Sequence, residues 1–257
     1  MTMLPKIMVA PNGARHGKDA HSAVPITLSE VLDCAEACAH AGADGLHFHL
    51  RDEEGAHLLD AGAYREAITE LHARVPAMTV QITTEAAGKY EPPLQMDVAL
   101  GSGCELVSVS IREIAGRQDE QTSRRFYDQC ADAGITVQHI LYSTDDLALL
   151  RQTISLELLL SPNLQLLWVL GKYGDENSSS PELLDPILKE MRQFEEMPDW
   201  MVCAFGRAET DCLVAAHSHG AKLRVGFENS FWNRDGSLAL DNAERVRELV
   251  QSLRENS

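Results

Sequence analysis

Short runs of apolar and β-branched residues recur along the chain at Ile7–Ala10, Gly45–His49, Met78–Ile82, Leu106–Ser110, Ile135–Tyr142, Leu164–Leu170, Trp200–Phe205 and Leu223–Phe227. Each has the length and composition of a buried strand. Between them the apolar positions shift to helical spacing. Thr27 followed by Glu30 forms a capping box ahead of Val31, Leu32 and Ala35. Asp60 and Ala61 open a similar segment that runs to Leu71, and further periodic segments cover 119–133, 145–155, 181–194, 209–217 and 241–253. Strands and helices thus alternate at a spacing of roughly thirty residues per unit. The alternation admits a doubly wound open sheet or a closed (β/α)₈ TIM barrel. No Gly-x-Gly-x-x-Gly follows the first strand, which removes the main support for a dinucleotide fold. Eight units without a dividing linker favour a single barrel domain over residues 1–257.

Composition narrows the function classes. Against 22 Lys and Arg stand 39 Asp and Glu, a formal charge of −17. Such a surface repels phosphate backbones and anionic lipid, so neither nucleic acid nor membrane is an expected partner. No apolar run approaches the roughly 20 residues that span a bilayer, and the first ten residues read as a strand rather than as a signal peptide. The six cysteines form no Cys-x-x-Cys pair; Cys34 and Cys38 stand one helical turn apart, as packed small hydrophobes do. Free thiols of this kind fit a reducing cytoplasm. The polar stretch 171–180 follows the sixth strand and reads as a loop at the barrel mouth, with a solvated turn as the plainer alternative.

The strongest chemical pattern is His47-Phe48-His49 at the end of the second strand. Alternate side chains of a strand share a face, so the two imidazoles project together and can reach one divalent metal. A catalytic zinc site needs a third protein ligand and an open position. Glu228 at the exit of the eighth strand is the candidate, with Arg224, Gly226 and Glu228 alternating onto one face; a buried Arg224–Glu228 ion pair is the competing explanation. His217 and His219 sit beside Gly220 at a helix end, where histidine interacts with free carbonyls, and neither they nor His139 are expected ligands.

The runs Pro11-Asn12-Gly13-Ala14-Arg15, Val24-Pro25-Ile26-Thr27, Ala41 through Asp52, Gln81-Ile82-Thr83-Thr84, Val169-Leu170-Gly171 and Arg224 through Asn229 occur in order along nearly the whole chain. Together they resemble the signature of the β-keto acid cleavage enzymes. That resemblance implies a (β/α)₈ barrel, commonly tetrameric, holding one zinc ion per chain through His47, His49 and Glu228. It implies an exchange in which a β-keto acid and acetyl-CoA, as co-substrate, become acetoacetate and a new acyl-CoA. It also implies an active-site arginine at Arg224 and substrate contacts at Asn12, Arg15, Thr83, Thr84, Ser108 and Arg207.

The chain departs from the family pattern at several of these places. Arg15 stands where a family acidic residue meets a substrate amine, which argues for an anionic or neutral group there. Thr84-Glu85-Ala86 replaces Thr-Gly-Gly, Ile140 replaces an acidic residue of strand five, and the family's last segment has no counterpart up to Ser257. Asn229 occupies a catalytic aspartate's position, and an amide cannot accept a proton as a base. Glu85 is the candidate replacement base, with a solvent-facing loop glutamate as the alternative. The leading expectation is zinc-dependent C–C cleavage by acyl exchange. A zinc-dependent aldolase or hydrolase on the same platform, and a degenerate metabolite-binding barrel, are the other two.

Overall fold

In a computed structural model describing residues 2–256, eight parallel strands close into a barrel. The barrel strands are numbered β1 (Ile7–Val9), β2 (Gly45–Phe48), β3 (Thr79–Thr83), β4 (Leu106–Ser110), β5 (Thr136–Leu141), β6 (Gln165–Leu170), β7 (Asp199–Ala204) and β8 (Lys222–Val225). Each pairs with its neighbours in sequence, and β1 closes the ring by pairing Met8 with Gly45 of β2 and Arg224 of β8. This is the TIM barrel that the eight-unit alternation and the family resemblance anticipated.

Eight principal helices surround it: α1 (Leu28–Ala41), α2 (Ala61–Arg74), α3 (Pro92–Gly101), α4 (Glu120–Asp132), α5 (Thr144–Thr153), α6 (Leu184–Met191), α7 (Glu209–Ser218) and α8 (Asn242–Glu255). Thr27 and Glu30 form the capping box of α1, and the carboxylates of Asp60, Asp119 and Asp241 cap α2, α4 and α8. Helix α3 had no counterpart in the hydrophobic periodicity. It starts on Pro92 and Pro93, and its inward residues include the polar Gln95, so its apolar stripe is interrupted. The segment from 181 begins as a 3₁₀ turn, Pro181–Leu183, before α6 takes over.

Two apolar layers hold the assembly. The larger lies between strands and helices and contains Phe48, Ile82, Val107, Trp168 and Val202. The smaller, with Met8, Leu106, Leu167, Met201 and Cys203, fills the barrel interior. Alternation along β2 places Leu46 and Phe48 in the outer layer and therefore turns His47 inward. All six cysteines are free thiols, the Cys34 and Cys38 sulfurs lying 3.9 Å apart. Among the described residues no helix is long and apolar enough to cross a membrane.

Candidate metal centre and substrate pocket

The two histidines meet at the C-terminal mouth of the barrel, where active sites of this fold lie. His47 and His49 are both 1% exposed, and their Nε2 atoms are 3.2 Å apart. Glu228 Oε2 lies 3.4 Å from His47 Nε2 and 3.6 Å from His49 Nε2. Ligands bonded at ~2.0–2.1 Å to a tetrahedral ion stand about 3.3 Å from one another, so three atoms at these separations fit around one cation. Glu228 Oε2 is also buried with no hydrogen-bond partner, an arrangement that costs free energy unless something positive sits there.

The alternation expected for 224, 226 and 228 does not persist, because β8 ends at Val225. Gly226 turns the chain at φ +138°, which favours glycine, and a Cβ there would lie 2.6 Å from the Ala10 carbonyl oxygen. Glu209 Oε1 accepts from Gly226 N–H at 3.2 Å, Asn242 Oδ1 from Phe227 N–H at 2.8 Å, and Ala10 O from Glu228 N–H at 3.0 Å. This turn brings Glu228 back over Arg224, whose Nη2 donates to Glu228 Oε1 at 3.1 Å. The ion pair and the metal-facing oxygen are therefore two halves of one carboxylate.

Electrostatics suit a cation site. Burial raises the proton affinity of Glu228, but the Arg224 guanidinium outweighs it and holds the carboxyl well below the usual range. Burial, with Arg224 adding to it, holds His47 well below its ordinary pKa, so the ring stays neutral with a lone pair to give. Gln81 Oε1 lies 2.9 Å from His47 Nδ1 and assigns the proton to that nitrogen, leaving Nε2 for the cation. Gln81 is in turn fixed by donating to Gln138 Oε1 at 3.0 Å. Asn12 clamps the His49 backbone, accepting from its N–H at 3.1 Å and donating to its carbonyl at 2.9 Å.

Beside this centre opens a cavity of about 190 Å³ walled by His47, Thr83, Glu85, Ser110, Glu113, Ile140, Tyr142, Arg224 and Glu228, with Arg15, His16, Lys172 and Tyr173 also in its lining. Arg224 is 3% exposed, and its Nε and Nη1 have no protein partner, which leaves donors for a substrate oxygen. Thr83 Oγ1 accepts from Glu85 N–H at 2.9 Å and keeps its own proton to donate. Arg15 lies 3.4 Å from Glu85 Oε1 and 5.0 Å from the centre of the Tyr173 ring. Glu85 Oε2 stands 3.9 Å from His49 Nδ1, itself unpartnered.

The structure thus gathers His47, His49, Glu228, Arg224, Arg15, Thr83 and Glu85 around one space and leaves other sequence candidates outside the wall. Asn12 is fully buried behind His49. Thr84 Oγ1 donates to Ser108 O at 2.9 Å and Ser108 Oγ to Ile82 O at 3.4 Å, so both hydroxyls serve the barrel. Asn229 Nδ2 donates to Arg224 O at 3.4 Å, and the residue borders a neighbouring cavity rather than this one. Arg207 pairs with Glu176 at 3.1 Å and lies 3.4 Å over the Trp232 ring. The residues that the sequence reading missed include Gln81, which lies behind His47, and the wall residues Ser110, Glu113 and Tyr142. Gln81 and Ser110 were within reach of it, because they alternate with Thr83 and Ser108 on their strands; Glu113 and Tyr142 follow strand ends, where no periodicity marks direction.

The chain is similar to proteins of known name over most of its length. The chain is 24% identical over 262 residues to a protein named 3-keto-5-aminohexanoate cleavage enzyme from Fusobacterium nucleatum subsp. nucleatum, covering 98% of this chain and 93% of that protein. It is 24% identical over 275 residues to a 3,5-dioxohexanoate:acetyl-CoA acetone transferase from Paraburkholderia graminis, covering 95% and 88%. Among solved structures, ObcA in a ternary complex with a C4-CoA adduct and oxalate superimposes with a TM-score of 0.69 over 91% of this chain at 14% identity. The chain spans 64% of that ObcA chain, and at such identity the likeness concerns the barrel alone. The beta-keto acid cleavage enzyme (BKACE) family matches residues 6–257, a span that takes in His47, His49, Arg224 and Glu228, and the chain belongs to that family.

Proposed function

We propose that this barrel cleaves a β-keto acid by acyl exchange with acetyl-CoA, giving acetoacetate and a new acyl-CoA, with one zinc ion per chain held by His47, His49 and Glu228. The observation that carries the metal reading is the orphaned Glu228 Oε2 facing two imidazole nitrogens at 3.4 and 3.6 Å on the cavity wall. The exchange itself is supported by family membership and by the names of the two relatives. When bound, zinc would supply Lewis-acid polarisation of a keto oxygen.

The chain's own groups divide the remaining work. Arg224 Nη1 and Nε bind the substrate carboxylate or keto oxygen from a buried position, where such donors count most. The Thr83 hydroxyl donates to a second oxygen and fixes orientation. Arg15 and Lys172, at the cavity lining, favour a substrate whose far end is neutral or anionic. A pocket carboxyl has to exchange a proton with the substrate, since Asn229 is an amide; Glu85, the candidate of the sequence, and Glu113 both border this cavity. Glu85→Gln tests that role, and turnover kept at the parent level would remove it. The same reading carries a cytoplasmic homotetramer built of one barrel domain per chain, and a mass of four chains in light scattering is its check.

Zinc-loaded protein incubated with a panel of β-keto acids and acetyl-CoA, followed by mass spectrometry, decides the reaction class. New acyl-CoA together with acetoacetate is the expected result. Cleavage that proceeds without acetyl-CoA would instead indicate an aldolase or hydrolase on the same platform.

A further inference from the structure

The cavity wall carries three carboxyls: Glu228, whose free oxygen faces the two imidazoles, Glu85, paired with Arg15, and Glu113, which is neither at the metal ligands nor paired with a cation. It lies on the single helical turn Ile111–Ile114 that follows β4. Its Oε2 is held twice, accepting from Ala86 N–H at 2.9 Å and from Gln95 Nε2 at 2.7 Å. Gln95, on α3, is 1% exposed and also donates to Thr84 O at 2.6 Å, so it is a rigid clamp. With Oε2 committed to the wall, the second oxygen makes no hydrogen bond or ion pair to protein, and the residue borders the same cavity as His47, Arg224 and Glu228. Glu85 is differently placed. Its Oε1 pairs with the Arg15 guanidinium at 3.4 Å, a cationic partner that Glu113 lacks, while Oε2 stands 3.9 Å from His49 Nδ1, beyond hydrogen-bond reach.

We infer that Glu113, rather than Glu85, is the carboxyl that exchanges a proton with the substrate, and that Glu85 positions Arg15. The assignment rests on the β-keto acid reading given above. In the forward step a C–H bond of the methylene carbon between the keto and carboxylate groups breaks. The proton goes to Glu113 Oε1, and the electron pair stays on the substrate as its enolate. The enolate carbon then bonds to the acetyl carbonyl carbon and releases CoA as thiolate. That thiolate adds to the original keto carbon, forming the new acyl-CoA as the C–C bond breaks. The proton on Oε1 returns to the resulting carbanion to give acetoacetate, so Glu113 ends as it began. Burial pushes the proton affinity of Glu113 up, and the nearby Glu85 adds to it, against the bonds from Ala86 and Gln95. A carboxyl so poised gives up and takes a proton more evenly than a solvated one. The clamp explains why no aspartate is needed after Glu228: the proton carrier has moved to the opposite wall.

The test follows exchange of the substrate's acidic C–H with D₂O by NMR, with acetyl-CoA absent, on zinc-loaded wild type, Glu113→Gln, Glu113→Asp and Glu85→Gln. Glu113→Gln keeps an acceptor for Ala86 and is expected to lower enzyme-dependent exchange and kcat by about 100-fold or more. Its metal content and substrate Kd should stay within threefold of wild type, a split that a merely structural role would not produce. Glu113→Asp, which retains a carboxyl, should recover part of the exchange, while Glu85→Gln should raise KM by a larger factor than it lowers exchange. Wild-type exchange rates in Glu113→Gln, or their loss in Glu85→Gln, would overturn the assignment and leave the reaction class standing. Wild type that exchanges the proton without transferring acyl groups keeps Glu113 and removes the acetyl-CoA reading. Wild type that does neither with any β-keto acid removes both.

Discussion

Glu228 divides its two oxygens between a guanidinium and a pair of imidazoles, and that division is the most informative fact at the scale of single residues. Glu228→Gln retains the shape but removes the charge. It is expected to bring bound zinc from one equivalent per chain to a small fraction, measured by elemental analysis after gel filtration. It also leaves Arg224 buried without its counter-charge, at an expected cost of about 3–5 kcal/mol in denaturant unfolding. Gln81 makes a milder case. Gln81→Leu removes the acceptor at His47 Nδ1, so the ring can turn or take the wrong tautomer, and zinc affinity in a chelator competition should fall about 10–100-fold. The two histidines were legible in the sequence because a two-residue period fixes which way side chains point. Gln81 stood in a run already singled out, yet nothing in that run said that its amide would meet His47, a contact made only when β2 and β3 pair His47 with Gln81.

At the scale of elements, the sequence showed the strands better than their ends. The run Leu223–Phe227 reads as one strand, but the structure stops β8 at Val225, and Glu228 reaches the histidines through a turn rather than through alternation. The expected residue was reached by a different path, because the backbone at Gly226 and its latches on α7 and α8 are tertiary features. Helix α3 was missed for a related reason: its inward Gln95 serves the pocket wall and breaks the stripe that periodicity detects. Gly13 shows how tightly the β1 and β8 loops fit. It has φ +60°, and a Cβ there would stand 2.7 Å from Glu228 Cγ. Gly13→Ala should therefore cost about 1 kcal/mol of stability from the left-handed backbone. Its larger effect should be on zinc affinity, because the side chain that must give way is the ligand. A loss of stability with unchanged zinc affinity would show that Glu228 tolerates the displacement.

Over the whole molecule, a charge of −17 surrounds a pocket whose wall sets Arg224, Arg15 and Lys172 against Glu85, Glu113 and Glu228, so the field that excludes polyanions is offset locally where a small acid would enter. The barrel also carries a titratable load unrelated to the site. His139 on β5 points away from the pocket, packs on the Tyr127 ring at 5.1 Å between centroids, and has no partner at Nδ1. Burial lowers its pKa from 6.5 to about 3, so the folded barrel cannot accept the proton that the unfolded chain takes up below pH 6.5. The sign follows from that difference: this contribution to stability is intact above pH 6.5 and drains away as the pH falls towards 3, at ~1.4 kcal/mol per unit. By pH 4 the loss from this one ring is about 3 kcal/mol, a large share of the margin of an ordinary domain. His139→Phe keeps an aromatic ring against Tyr127 and removes the proton site. Chelator-treated protein, in which zinc binding no longer contributes, should then show a shallower fall of unfolding free energy between pH 6.5 and 4, by close to one proton. An unchanged slope in urea titrations across that range would mean that His139 is protonated inside the fold, and that the acid sensitivity of the barrel comes from elsewhere.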